Sequence, residues 1–165
     1  MTFSVPIDPA TAPTSQQKGV RVVKGVPMFY KKKPLLDFER DFTRAVDAER
    51  ARNGNYRIPD GEAVYLHVSF LFGYPHGTPK ARRVDMAPMT SRPDGDNVAK
   101  AVIDCLGDRF RRDGSTWTLA HEGVFRDDAA ITPLVISKFR TTGAPRIIVT
   151  VLPRAKWAKG KEGVC

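Results

Sequence analysis

The chain has 165 residues and a formal net charge of +9 at pH 7, a length that suits one domain whose core needs no disulfide or metal staple. Its 41% hydrophobic content excludes an intrinsically disordered polymer, and no apolar run approaches the ~20 residues of a membrane-crossing helix. Lys and Arg total 27 against 18 acidic residues, a balance that favours polyanionic partners because neutralising phosphates releases condensed counterions.

In chain order, FSVPI (3–7) alternates and predicts a first strand, followed by a loop rich in Pro, Thr, Ser and Gln. RVVKGVPMFY predicts a short hairpin turning at Lys24-Gly25, and Pro27 puts its second arm on a sheet edge. A helix is predicted from about Pro34 to an Asn53-Gly54 stop, with Leu35, Phe38, Phe42, Ala45 and Val46 as its apolar stripe. AVYLHVSFLF (63–72) predicts a central strand. The Gly- and Pro-rich stretch 73–93 predicts a long, basic, mobile connection.

A second helix follows, with Val98, Ala101, Val102, Cys105 and Leu106 on one face and Asp96, Lys100 and Asp104 on the other. GDRFRRDGSTWTLAHEG predicts a loop or small excursion. VFRDDAAI, TPLVISKFR and PRIIVTVLP supply the last strands, and RAKWAKGKEGVC (154–165) a basic tail. The fold class is α+β, a mixed β-sheet with two main helices packed against it, in a single domain over 1–153. No charged segment followed by an apolar core opens the chain, and the two cysteines, Cys105 and Cys165, suggest a reducing cytoplasm. His67, His76 and His121 are too scattered for a zinc site.

Two acidic pairs stand out on this basic background. Asp94-Gly95-Asp96 lies where the second helix begins, and carboxylates so placed can converge on a hard divalent cation. Helix capping and exposed Asp96–Lys100–Asp104 ion pairs explain the same residues equally well. Asp127-Asp128 opens a strand-like run, where Asp is depleted, unless the pair sits in a solvated turn. A carboxylate brought from there to Asp94 and Asp96 would complete a cage for Mg²⁺ or Mn²⁺, able to polarise a scissile phosphate and activate water. Lys100 has the spacing to stabilise the charge of the transition state.

The run from Arg92 through Leu106, then Gly123 to Asp128, resembles the RusA family of Holliday-junction resolvases in its D-x-D-N-x-x-K and G-x-aromatic-x-D-D motifs. LVISKFR and RIIVTVLP resemble the family's ending. The resemblance implies a small, dimeric, Mg²⁺-dependent endodeoxyribonuclease, of a kind many phages and prophages encode, acting on branched DNA such as a four-way junction. It makes Asp94, Asp96 and Asp128 the metal-binding catalytic carboxylates and Lys100 the catalytic basic residue, with Asp127 a neighbouring acid at the metal and Asn97 holding the helix start. Gly95 stands where the family usually has a larger residue, and 107–123 is longer than the family's short turn. The PD…(D/E)xK nuclease pattern is excluded, because neither Glu122-Gly123-Val124 nor Asp128-Ala129-Ala130 carries its lysine. A basic nucleic-acid-binding module, or a degenerate relative that binds junctions without cutting, is the alternative. The clusters Lys31–Lys33, Lys80–Arg83, Arg109–Arg112 and Arg154–Lys161 are candidates for DNA-backbone contacts or plain solvated surface. Trp117 and Phe110 either pack locally or stack on unpaired bases.

Overall fold

The computed structural model describes residues 1–12 and 18–156. A five-stranded sheet in the order β1-β9-β4-β8-β5 forms its centre, from β1 (Thr2–Val5), β4 (Val64–Gly73), β5 (Ala87–Pro88), β8 (Ile131–Thr141) and β9 (Arg146–Pro153). Central β4 pairs parallel with β8 and antiparallel with β9, which makes the sheet mixed. Val64, Leu66, Val68, Phe70 and Phe72 alternate along β4 and are all buried, the period-2 burial of a strand with one face on a core. Ile147, Val149 and Val151 of β9 and Phe3 and Val5 of β1 extend that face.

Two helices cover it, α1 (Lys33–Arg52) and α2 (Gly95–Leu106). Leu35, Phe38, Phe42 and Val46 of α1 meet Val98, Ala101, Val102, Cys105 and Leu106 of α2 in the same core, so both stripes read from the sequence face inward. Phe38 and Phe42 stack at 5.5 Å between ring centroids. Pro34 lies in the first turn of α1, and Asn53 closes it.

Two hairpins stand outside the sheet. β2 (Lys18–Val23) and β3 (Val26–Lys31) form one. Its turn residues Lys24 and Gly25 have φ 50° and 78°, as a two-residue turn with both centres left-handed demands. Pro27 pairs across from Val22 in a two-stranded ribbon that has only edges. The other hairpin, β6 (Arg109–Asp113) and β7 (Thr116–His121), replaces the loop expected at 107–123. Gly114, at φ 60°, takes the first turn position, where a type II′ turn requires glycine.

Two further expectations are corrected. VFRDDAAI is not a strand. Val124 and Phe125 are buried against the end of α2, and Asp128–Ala130 form a 3-10 turn before β8 starts at Ile131. The connection 74–93 is laced down and not free-running. Ala87-Pro88 pairs with β8, the Tyr74 hydroxyl bonds both Val84 O and Val84 N, and Asp85 accepts from the Thr141 hydroxyl and the Thr142 N–H. Most of the basic tail lies outside the described residues.

Candidate active site

The N-terminus of α2 is set by β8. Lys138 donates from Nζ to the carbonyls of Ser91 and Pro93, each at 2.9 Å, clamping the loop that delivers Asp94. A Cβ on Gly95 would lie 2.9 Å from Ile136 Cγ2, so glycine lets the helix start settle on the sheet. Asp94 holds the N-cap position with extended φ/ψ, yet its side chain makes no capping hydrogen bond. Asp96, in the first turn, and Lys100, one turn on, are exposed. Neither forms an ion pair with the other or with Asp104 among the described residues. The two ordinary structural uses of these carboxylates, capping and surface pairing, are therefore not made.

At the other end of α2 the chain turns sharply. A Cβ on Gly123 would lie 2.3 Å from Leu106 O and 2.4 Å from the Gly107 carbonyl carbon, so only glycine fits. Val124 N donates to Leu106 O at 2.7 Å, and Asp108 N donates to Phe125 O at 3.1 Å. Both ends of the β6–β7 hairpin are braced by arginines. Arg57 donates to both oxygens of Asp108, at 2.7 and 3.0 Å, and Gly123 N donates to the same carboxylate at 2.8 Å. Burial alone would raise the Asp108 carboxyl, but Arg57 and the Gly123 N–H outweigh it and hold it below the usual carboxylate range. Arg50, itself buried, donates to the Glu122 carboxylate at 2.9 Å and to the Tyr56 carbonyl at 3.1 Å.

This closure delivers Asp127 and Asp128 to the end of α2. They line a cavity of about 240 Å³ with Asp104, Phe110 and Arg126. Asp127 accepts from Ala129 N at 2.8 Å, which with its bond to Asp128 holds its pKa low. Asp104 is exposed as a residue, yet desolvation pushes its carboxyl up. Lys31 and Lys100 oppose that shift, and Glu39 and Asp128 add to it.

The predicted residues thus fall in two groups along one helix. Asp94 and Asp96 sit at its start. Asp127 and Asp128 sit at its end beside Asp104, whose Cα is ~12 Å of helical rise from that of Asp96, with Lys100 between. Among the described residues no three His, Cys, Asp or Glu side chains lie close enough together to hold a metal ion. The donor chemistry suits Mg²⁺, since Asp94 and Asp96 offer hard oxygens that neither cap α2 nor pair with a cation among the described residues, but the third ligand is not gathered to them. Sequence reasoning missed the Arg57–Asp108 and Arg50–Glu122 braces, which join residues more than fifty positions apart and leave no local signal.

A family model for endodeoxyribonuclease RusA matches residues 6–152. The chain belongs to the RusA family. It is accordingly an endodeoxyribonuclease of the class that resolves Holliday junctions, and its substrate is DNA. The RusA match runs through the β6–β7 hairpin and takes in both acidic groups and Lys100. No curated protein matches the chain. Among the described residues no helix of this RusA-family chain is long and apolar enough to cross a membrane.

Proposed function

We propose that this protein is a Mg²⁺-dependent, structure-selective endonuclease that cuts four-way DNA junctions as a homodimer, each subunit hydrolysing one phosphodiester to leave a ligatable nick. The observation that carries the reading is that the fold makes no use of Asp94 and Asp96: neither carboxylate caps α2 or joins an ion pair among the described residues. Exposed, unneutralised carboxylates at the start of a helix on a chain of charge +9 serve a ligand better than they serve stability. Asp94 and Asp96 would supply oxygen ligands to Mg²⁺, with Mn²⁺ as a substitute, and Asp128, with Asp127 beside it, would have to come from the far end of α2 to complete the set. When bound, the ion polarises the scissile phosphate and lowers the pKa of water.

The chain's own part is positioning and charge. Lys138 fixes the loop before Asp94, the Gly123 contact returns Asp128 to α2, and Lys100 sets a positive charge on the polar face for the transition-state phosphorus oxygens. Dimerisation rests on the family resemblance and matches the two-fold symmetry of a four-way junction.

The test is a labelled synthetic four-way junction incubated with and without Mg²⁺, beside Asp96→Asn. The expected result is Mg²⁺-dependent paired nicking by the native protein, with cutting lost and binding kept in the variant. Undiminished cutting by Asp96→Asn removes the site assignment. Binding without any Mg²⁺-dependent cutting makes the protein a junction-binding module.

A further inference from the structure

We infer that the β6–β7 hairpin is a DNA-engaging arm on which Trp117 stacks against a base left unpaired at a branch point. This deepens, and rests on, the reading of the chain as a nuclease of branched DNA. The strand register sorts the arm's side chains into two faces. Phe110 lies directly across from Leu119, and Arg112 directly across from Trp117. Directly opposed residues share a face and alternate residues return to it, so Phe110, Arg112, Trp117 and Leu119 form one surface. Its three apolar members are 47%, 64% and 51% exposed for Phe110, Trp117 and Leu119. Each keeps about half or more of its surface open to solvent.

The chemistry of the arm selects its occupant. A protein partner burying these rings would also desolvate Arg112 on their own face, beside Arg109 and Arg111 on the other face of two strands that carry a single acid, Asp113. Single-stranded nucleic acid satisfies both features together, with bases on the aromatic faces and phosphates on the guanidinium groups. The arm's placement supports the same occupant. Its base is locked by Arg57–Asp108 and Arg50–Glu122, and Phe110 forms part of the wall of the cavity that holds Asp104, Asp127 and Asp128. A base held on this surface would bring its own strand's backbone toward the acidic residues. The arm is then a positioning element for strand choice, with no part in the bond-breaking step.

The experiment uses the full-length protein, a four-way junction carrying 2-aminopurine at the branch point, and the matched unbranched duplex, without divalent metal so that nothing is cut. For Trp117→Ala we expect about a tenfold or greater loss of junction affinity, little change on duplex, and loss of the 2-aminopurine fluorescence change seen with native protein. Trp117→Phe should restore most of both, because it keeps an aromatic face. The melting temperature serves as the folding control. Unchanged junction preference and fluorescence in Trp117→Ala, or equal losses on junction and duplex, would overturn the proposal. So would loss of self-association in Trp117→Ala, which would assign the surface to a protein contact. If native protein unstacks the base but never cuts with Mg²⁺, the arm stands and the nuclease reading alone falls.

Discussion

Arg57→Ala tests whether the ionic brace, and not the hairpin itself, holds the second acidic group in place. The Asp108 side chain is 5% exposed and Arg57 23% exposed, and three hydrogen bonds converge on that carboxylate. Breaking a buried pair costs ~3–5 kcal/mol because it strands a charge. Gly123 N–H still serves one oxygen in the variant and Arg57 already touches water, so the lower end, about 3 kcal/mol, is expected. At ~2–4 °C per kcal/mol for a chain of this size, the melting temperature read by circular dichroism should fall by roughly 6–12 °C.

The pH dependence carries the sign. In the native protein Asp108 titrates below its ordinary value, so its contribution is present above the unfolded pKa of ~3.9 and is lost as pH falls through the lower folded value. Without Arg57 burial dominates, the carboxyl protonates readily in the folded state, and the penalty shrinks on acidification. The gap between native protein and variant should therefore be wide at neutral pH, begin to narrow as pH falls toward 4, and close only below it. Adding Asp108→Asn, which removes the stranded charge and keeps an acceptor for Gly123, should recover part of the loss. A deficit below ~1 kcal/mol that is flat with pH would refute the reasoning, because it would mean that Asp108 rehydrates freely.

Gly123→Ala forces a methyl group against backbone atoms at 2.3 and 2.4 Å that no rotamer change can clear. It should cost at least about 3 kcal/mol, read as a lowered urea midpoint, and should abolish cutting even where Asp94 and Asp96 are intact; full activity in a stable variant would contradict the assigned close approach. Cys105 is 1% exposed and burial pushes its thiol up to about 12, so in a Cys165→Ser background it should resist a thiol-reactive dye until the protein is unfolded. Stoichiometric labelling of the native state would show that α2 opens.

The helices and β4 were legible because each carries a long periodic stripe, and the first hairpin because Lys24-Gly25 punctuates two alternating runs. The second hairpin carried a comparable signal, Asp113-Gly114 between Phe110/Arg112 and Trp117/Leu119, but its arginines masked the alternation and made it read as loop. The DD pair was misplaced for a different reason. A run such as VFRDDAAI has strand-like composition, and only the tertiary contact of Gly123 with Gly107 and Leu106 shows that Val124 and Phe125 belong to the end of α2 and not to the sheet. Among the site residues, the unpartnered state of Asp94 and Asp96 was the point left open between capping and function, since a helix start attracts aspartate in either case. The Asp94 side chain makes no capping bond, which removes capping as an account of Asp94 and leaves its ligand role as the proposal made above.

The same contact explains how the β6–β7 arm can stand between α2 and Asp127-Asp128 without setting where those acids lie. Loop-closure entropy grows only logarithmically with length, so an insertion costs little if its ends are already adjacent. Here Leu106 and Val124 are joined by a 2.7 Å hydrogen bond and Asp108 and Phe125 by one of 3.1 Å, so the ends meet whatever lies between them. The hairpin closes on itself through its own ladder, and the arginine braces absorb its leverage. Asp127 and Asp128 are thus placed by Gly123 and the end of α2, not by the length of the segment before them. The arm can therefore vary in sequence and reach without moving the acids, while a single methyl group at position 123 would displace them.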